Sequence, residues 1–181
     1  MHSDLSEILL SKQEIEYRVQ ELGNLIAQDY RGKQLHMVSV LKGSMVFMAD
    51  LMRTIDLPLT IDCMAVSSYG SGAVSAGVVQ VVKDLSTPAE GKDVLVVEDV
   101  MDTGLSLASI IGLLGGRGAR SVRVCTLLNK PGRRHPTVAL QPDYVGFEIP
   151  DVFVVGYGLD YNELYRNLPY IGVLDRRIYS V

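Results

Sequence analysis

Three carboxylates lie close together near the middle of the 181-residue chain. Glu98 and Asp99 directly follow the apolar run 94–97, and Asp102 precedes a Thr-Gly-Leu-Ser turn at 103–106. An uninterrupted apolar run predicts a strand covered on both faces, so the acids are expected at its carboxyl end, where open α/β sheets bind ligands. A helical pattern follows the turn, and the free N–H groups at a helix start suit a phosphate.

The acids and the phosphate turn together indicate a ligand that is more than phosphate. Phosphate repels carboxylates, whereas a sugar phosphate has hydroxyls that can donate to Glu98 and Asp99. The same two acids could instead hold a hydrated Mg²⁺. From these residues alone, an ordinary strand end with solvated acids and a helix cap also stays open.

The composition fits a single enzyme domain spanning 1–181. The net charge is -4 with 17 basic residues, which argues against a dedicated nucleic-acid binder. No run approaches about 18 apolar residues, so no membrane span is expected. The amino-terminal residues lack a secretory pattern, so a cytoplasmic location is expected. Cys63 and Cys125 lie in apolar runs and are expected to be buried free thiols.

Helix and strand patterns alternate along the chain, which predicts an α/β fold with a mostly parallel central sheet flanked by helices. Ser11 and Glu14 have the spacing of a capping box that begins the first helix, which should end near Gly32. Further helices are expected at 44–55 and 105–114. Strands are expected at 35–41, 59–66, 78–82, 94–97, 122–128, 144–147 and 152–157. The small, polar segment 67–77 is either a flexible hairpin or a lid.

Three further clusters occur at 41–44, 127–131 and 147–163. With the acid motif and Ser68-Tyr69-Gly70, they resemble the type I phosphoribosyltransferases, and within them the hypoxanthine-guanine branch. The similarity extends from the first helix to about Arg166, and 153–163 is its most specific part. The resemblance implies the type I phosphoribosyltransferase fold, with a core of about 11–157 and a small hood formed by 1–10 and 158–181.

The resemblance also implies an activity in purine salvage. Members transfer the phosphoribosyl group of 5-phosphoribosyl-1-pyrophosphate (PRPP) to hypoxanthine or guanine, giving IMP or GMP and pyrophosphate with Mg²⁺ as cofactor. Xanthine stays open as a further substrate. Homodimers or homotetramers are common in the family. Two rival interpretations are a transferase that prefers another base, such as xanthine or adenine, and a regulator that binds nucleic acid.

Residue roles follow from the resemblance position by position. The donor site would be formed by Leu41, Lys42 and Gly43, by Glu98 and Asp99, by Asp102, Thr103, Gly104, Leu105 and Ser106, and by Arg166. The base site would be formed by Lys130, Phe153, Val154 and Asp160. The metal would be held by Glu98, Asp99 and Asp160. The lid would include Ser68 and Tyr69.

Within these sets, some residues have more specific implied roles. A non-proline cis peptide is typical of the family at 41–43. Lys130 would donate to the 6-oxo group of the purine, and Phe153 would stack on its ring. Asp102 would be the catalytic residue and would act as a general base toward purine N7. Stabilisation of charge in the reaction would equally account for an acid at this position. The phosphate loop ends in Leu105-Ser106, where relatives often carry lysine or threonine, so the hydroxyl is kept and the loop is expected to have one charge fewer.

Overall fold

The computed structural model describes residues 2–68 and 79–180 and contains two sheets. The helices are α1 (Lys12–Asp29), α2 (Met45–Thr54), α3 (Leu105–Gly116) and α4 (Arg176–Tyr179), with a 3₁₀ turn at Pro131–Arg133. The strands are β1 (Leu5–Leu10), β2 (Leu35–Val40), β3 (Leu59–Ser68), β4 (Val79–Lys83), β5 (Asp93–Met101), β6 (Ser121–Asn129), β7 (Tyr144–Glu148), β8 (Val154–Val155) and β9 (Ile171–Leu174).

The larger sheet has the order β4-β3-β2-β5-β6-β7. All neighbours in it are parallel except β4, which runs antiparallel to β3 at the edge. β5 therefore lies inside the sheet, between β2 and β6, and the carboxyl ends of the parallel strands share one edge. This arrangement confirms the predicted α/β class with a mostly parallel sheet.

The apolar run of β5 packs against helices on both faces of the sheet. Leu95 and Val97 belong to the core cluster that includes the buried stripes of α1 and α2. Val94 and Val96 belong to a second cluster with Leu107 and other residues of α3. Both faces are buried, which is why the run lacks the alternating polar residues of a half-exposed strand.

β5 is longer than the sequence indicated. The acids were expected to follow a strand over 94–97, but the strand continues through Glu98 and Asp99 to Met101. The extension is stabilised by β6, because the parallel register aligns Met101 with Asn129. Glu98 and Asp99 are therefore held by sheet hydrogen bonds rather than by a loop.

The first helix begins as predicted. The Ser11 side chain accepts a hydrogen bond from the Glu14 backbone N–H, and the Glu14 carboxylate accepts one from the Ser11 N–H at 2.8 Å. This pair satisfies N–H groups that have no partner within the helix. Of the two thiols, Cys125 is buried as expected, whereas Cys63 is only half-buried, and both are free.

A three-stranded antiparallel sheet of order β1-β9-β8 lies outside the main sheet. The strand expected at 152–157 is reduced to Val154–Val155 and pairs in this smaller sheet with β9. The division into a core of about 11–157 and a hood of 1–10 and 158–181 stays a prediction. Among the described residues, no helix has the length and apolar character needed to cross a bilayer.

Candidate active site

The acid pair lies near the carboxyl end of β5, in a setting that opposes ionisation. Burial and the charge of neighbouring Asp99 raise the pKa of Glu98 well above its usual range. Burial also raises the pKa of Asp99. The Val100 backbone N–H, which donates to the Asp99 carboxylate at 2.8 Å, opposes this rise only in part. One Glu98 oxygen is buried without a hydrogen-bond partner among the described residues. Such a pair is suited to a ligand that donates hydrogen bonds or brings positive charge.

The turn after β5 forms a small, polar cavity. Gly104 has a left-handed backbone (φ +78°) and accepts the first helical hydrogen bond, from the Ala108 N–H at 2.9 Å. α3 then begins at Leu105, so the first N–H groups of the helix face the turn. Ser106 and Thr103 line a cavity of about 140 Å³ here, together with Glu98. Hydroxyls and helix N–H groups are the donors that a phosphate requires.

The loop after β2 lies beside the acids. The peptide bond between Leu41 and Lys42 is cis, as the resemblance implied. Gly43 lies against the carboxylate of Asp99, where a Cβ would collide with it. Leu41 also lines an apolar groove beside α2.

The segment after β8 packs onto this loop. Gly158 has φ +103°, and a Cβ there would collide with the Gly43 carbonyl oxygen. The Lys42 ammonium donates to Glu163 at 2.8 Å. Arg166 pairs with Asp160 at 2.8 Å. Glu163 also pairs with Arg166 at 3.3 Å, so these side chains form one connected group, and the Arg166 charge acts on Asp99.

The Arg166 side chain is also held from its own loop. It donates to the Gly158 carbonyl at 2.8 Å, while its Nε is buried and lacks a partner among the described residues. A guanidinium that retains a free donor is suited to an anion. The contact between Arg166 and pyrophosphate that the resemblance implies stays a prediction.

A larger cavity of about 510 Å³ opens on the other side of Asp102. Lys130, at the end of β6, donates to the Val152 carbonyl at 2.8 Å and keeps further N–H donors. Phe153 is 39% exposed, and Val154 begins β8. Six of the predicted site residues line the cavity: Asp99, Asp102, Lys130, Phe153, Val154 and Asp160. Leu159 lines it as well and was not predicted from the sequence.

Two arginines that sequence reasoning missed hold Asp102. Arg133 Nε donates to the Asp102 carboxylate at 3.0 Å, and Arg134 donates to the Asp102 backbone carbonyl at 2.7 Å. Arg134 also donates to the Asn129 side chain at 2.6 Å. The only signal in the sequence was the adjacent basic pair that follows Lys130-Pro131-Gly132. The predicted catalytic acid thus lies in an ion pair.

The predicted lid is described only at its start. Ser68 is the last residue of β3. Tyr69 lies outside the described residues.

Comparison with known proteins places this architecture in a family. A model of the phosphoribosyl transferase domain matches residues 6–162. The hypoxanthine-guanine phosphoribosyltransferase of Staphylococcus aureus is 52% identical over 180 residues, which cover 99% of either chain. The chain belongs to the hypoxanthine-guanine phosphoribosyltransferase family. This confirms the resemblance and the enzyme class that the sequence motifs indicated.

Two further matches extend the comparison. A crystal structure of a hypoxanthine phosphoribosyltransferase from Staphylococcus aureus superposes with a TM-score of 0.96 at 52% identity, covering 100% of this chain and 97% of that one. The match confirms the predicted fold. The bifunctional protein TilS/HprT of Listeria innocua is 49% identical over 180 residues, and the chain spans 28% of that longer protein.

Proposed function

We propose that this enzyme transfers the phosphoribosyl group of PRPP to hypoxanthine or guanine, giving IMP or GMP and releasing pyrophosphate. One observation carries the assignment: Val100 and Asp102 line both the small phosphate cavity and the larger cavity. A sugar phosphate bound in the first cavity would therefore present its ribose toward a base bound in the second. Purine salvage is the process that such a reaction serves.

The donor site holds PRPP through groups matched to each part of the molecule. The 103–106 turn and the start of α3 bind the 5-phosphate through N–H and hydroxyl donors. Glu98 and Asp99 accept hydrogen bonds from the ribose hydroxyls, which relieves the unfavourable burial of the pair. Lys42 and Arg166, which Glu163 links, provide positive charge for the pyrophosphate.

The acids fit a Mg²⁺ that binds together with PRPP. No group of three metal-ligating side chains occurs within residues 2–68 and 79–180, so protein carboxylates alone do not form a full cage. Mg²⁺ is commonly bound by one or two carboxylates plus substrate oxygens and water, and Glu98, Asp99 and Asp160 are the carboxylates that would hold it. When bound, the ion neutralises charge on the leaving pyrophosphate.

The base site selects oxo purines by its hydrogen-bond donors. Lys130 offers only donors, so it suits the 6-oxo group and opposes the 6-amino group of adenine. Phe153 presents a ring face for stacking on the purine, and Val154 offers its backbone. Nothing in this set separates hypoxanthine from guanine or xanthine.

Asp102 lines both cavities. It can accept the proton of purine N7, or it can stabilise positive charge that develops on the ribose. Either role requires the carboxylate to be released from Arg133, or to be shared with it.

We propose a cytoplasmic enzyme that acts as a homodimer or homotetramer, without nucleic-acid partners.

A kinetic panel tests the proposal. The purified enzyme is assayed with PRPP, Mg²⁺ and each of hypoxanthine, guanine, xanthine and adenine, and nucleotide formation is followed by absorbance and chromatography. We expect IMP and GMP, little AMP, and loss of turnover in EDTA with recovery on adding Mg²⁺. Preferred use of adenine would contradict the role of Lys130. Full activity in EDTA would contradict the metal role, and salt-sensitive nucleic-acid binding without turnover would favour a regulator.

A further inference from the structure

The carboxyl-terminal helix α4 lies next to the larger cavity, and hydrogen bonds fix the chain that leads to it. β9 ends beside the base site, where the Leu174 N–H donates to the Phe153 carbonyl at 2.9 Å. Asp175 then donates through its N–H to the Asp4 carbonyl at 2.9 Å, and its carboxylate accepts from the Arg177 N–H at 2.9 Å. These bonds start α4 at a defined place, and α4 carries Tyr179. The carboxyl-terminal segment therefore contacts Phe153 twice: Leu174 bonds to its backbone, and Tyr179 packs on its side chain.

Tyr179 lies on the ring of Phe153. The two rings are stacked, with centroids 5.1 Å apart and an interplanar angle of 28°. Tyr161 packs edge-on against Phe153 at 5.7 Å and 89°, and it lies 6.4 Å from Tyr179. Three aromatic rings therefore form one cluster at the wall of the larger cavity, which both Phe153 and Tyr179 line.

Phe153 needs such support because of its position. It lies between the 150–152 turn and β8, and it is 39% exposed. An exposed ring on a chain connection would lose rotamer freedom when a base stacks on it, and that loss weakens binding. A ring held in place beforehand avoids this loss. Stacked and edge-to-face contacts define the ring plane, which a loose apolar contact does not.

We propose that Tyr179 is a positioning residue for the purine. It holds the Phe153 ring in the orientation that stacks on the base, and it closes one side of the base cavity. The inference rests on the proposed function, because it assigns the larger cavity to the purine. It adds to the base site a residue from the carboxyl-terminal helix.

The test separates an aromatic positioning role from a structural one. Tyr179→Ala and Tyr179→Leu remove the ring face, and Tyr179→Leu keeps apolar bulk if the alanine variant folds poorly. Tyr179→Phe keeps the ring. Arg176→Ala is the matched control, since Arg176 is exposed on the same helix. Each variant is assayed for KM of hypoxanthine at saturating PRPP, KM of PRPP at saturating hypoxanthine, kcat and Tm.

We expect Tyr179→Leu and Tyr179→Ala to raise KM for hypoxanthine by about two- to tenfold, the factor that corresponds to one aromatic pair. KM for PRPP should stay unchanged, and Tyr179→Phe and Arg176→Ala should behave as the parent enzyme. An unchanged or lower KM for hypoxanthine in the leucine variant would overturn the inference, as would an equal rise in KM for PRPP or failure of Tyr179→Phe to restore binding. A parent enzyme that makes no nucleotide would instead overturn the proposed function.

Discussion

Replacing Gly43 by alanine tests how the acid pair and the loop after β2 share space. A Cβ at this position would overlap the Asp99 carboxylate oxygen, so one of the two must move. Asp99 is partly buried, lines the larger cavity and accepts a hydrogen bond from the Val100 N–H at 2.8 Å. We expect that moving the carboxylate away from a new Cβ breaks that bond.

The cost follows from these contacts. Losing the Val100 hydrogen bond costs about 1–3 kcal/mol, and forcing the side chain off its rotamer costs about 0.5–1.5 kcal/mol. A combined cost of about 2–4 kcal/mol corresponds to a loss of about 30- to 700-fold in kcat/KM for PRPP. The loss should appear in kcat/KM for PRPP, because we assign Asp99 to the ribose of PRPP. KM for hypoxanthine at saturating PRPP should change much less.

The assay is initial-rate formation of IMP at varied PRPP, with Tm measured on the same samples. Gly112→Ala is the matched control, because a Cβ at Gly112 in α3 meets nothing within 4 Å. It should keep full activity and gain about 0.5–1 kcal/mol of stability. If Gly43→Ala folds and retains kcat/KM for PRPP within about threefold of the parent, the assignment of Asp99 to the donor site is wrong.

Two further predictions concern other carboxylates. Asp102→Asn should lower kcat by about 10²- to 10⁴-fold, measured as the initial rate of IMP formation at saturating substrates; a variant with the kcat of the parent would exclude the general-base role. Asp62 accepts from the backbone N–H groups of Ser86 and Thr87 at 2.7 and 3.0 Å, and although burial opposes its ionisation, backbone donors lower its pKa. The contribution of the Asp62 carboxylate to the free energy of unfolding should therefore be complete above about pH 4. It should be lost as the pH falls through the lowered pKa. Asp62→Asn should lower the free energy of unfolding by about 1–3 kcal/mol at neutral pH and by less in acid. Denaturant unfolding at each pH measures both values, and an equal loss at the two pH values would contradict the prediction.

Much of the main sheet could be predicted because its signals are local. The run 94–97 has no polar alternation, which follows directly from burial by α1 and α2 on one face and α3 on the other. The capping box of Ser11 and Glu14 depends on four consecutive residues and was confirmed. The phosphate turn and the acids were found because they are contiguous in the chain.

The remaining features depend on contacts between distant residues. β5 continues past Glu98 because β6 runs alongside it, and no local pattern reports that register. The Arg133–Asp102 pair spans 31 positions, and the Tyr179–Phe153 stack depends on the path of β9 and α4. The strand expected at 152–157 is reduced to Val154–Val155 and pairs with β9 outside the main sheet, and no local pattern indicates that pairing.

The segment 153–166 connects the two halves of the site. Phe153 and Leu159 line the larger cavity, whereas Gly158 lies against Gly43 of the loop after β2. The backbone contact at Gly158 leaves no room for a side chain between the two loops. The donor and acceptor sites therefore share one short stretch of chain. Movement of that stretch when PRPP binds would reach the base site, which is the physical reason to measure KM for each substrate at saturation of the other.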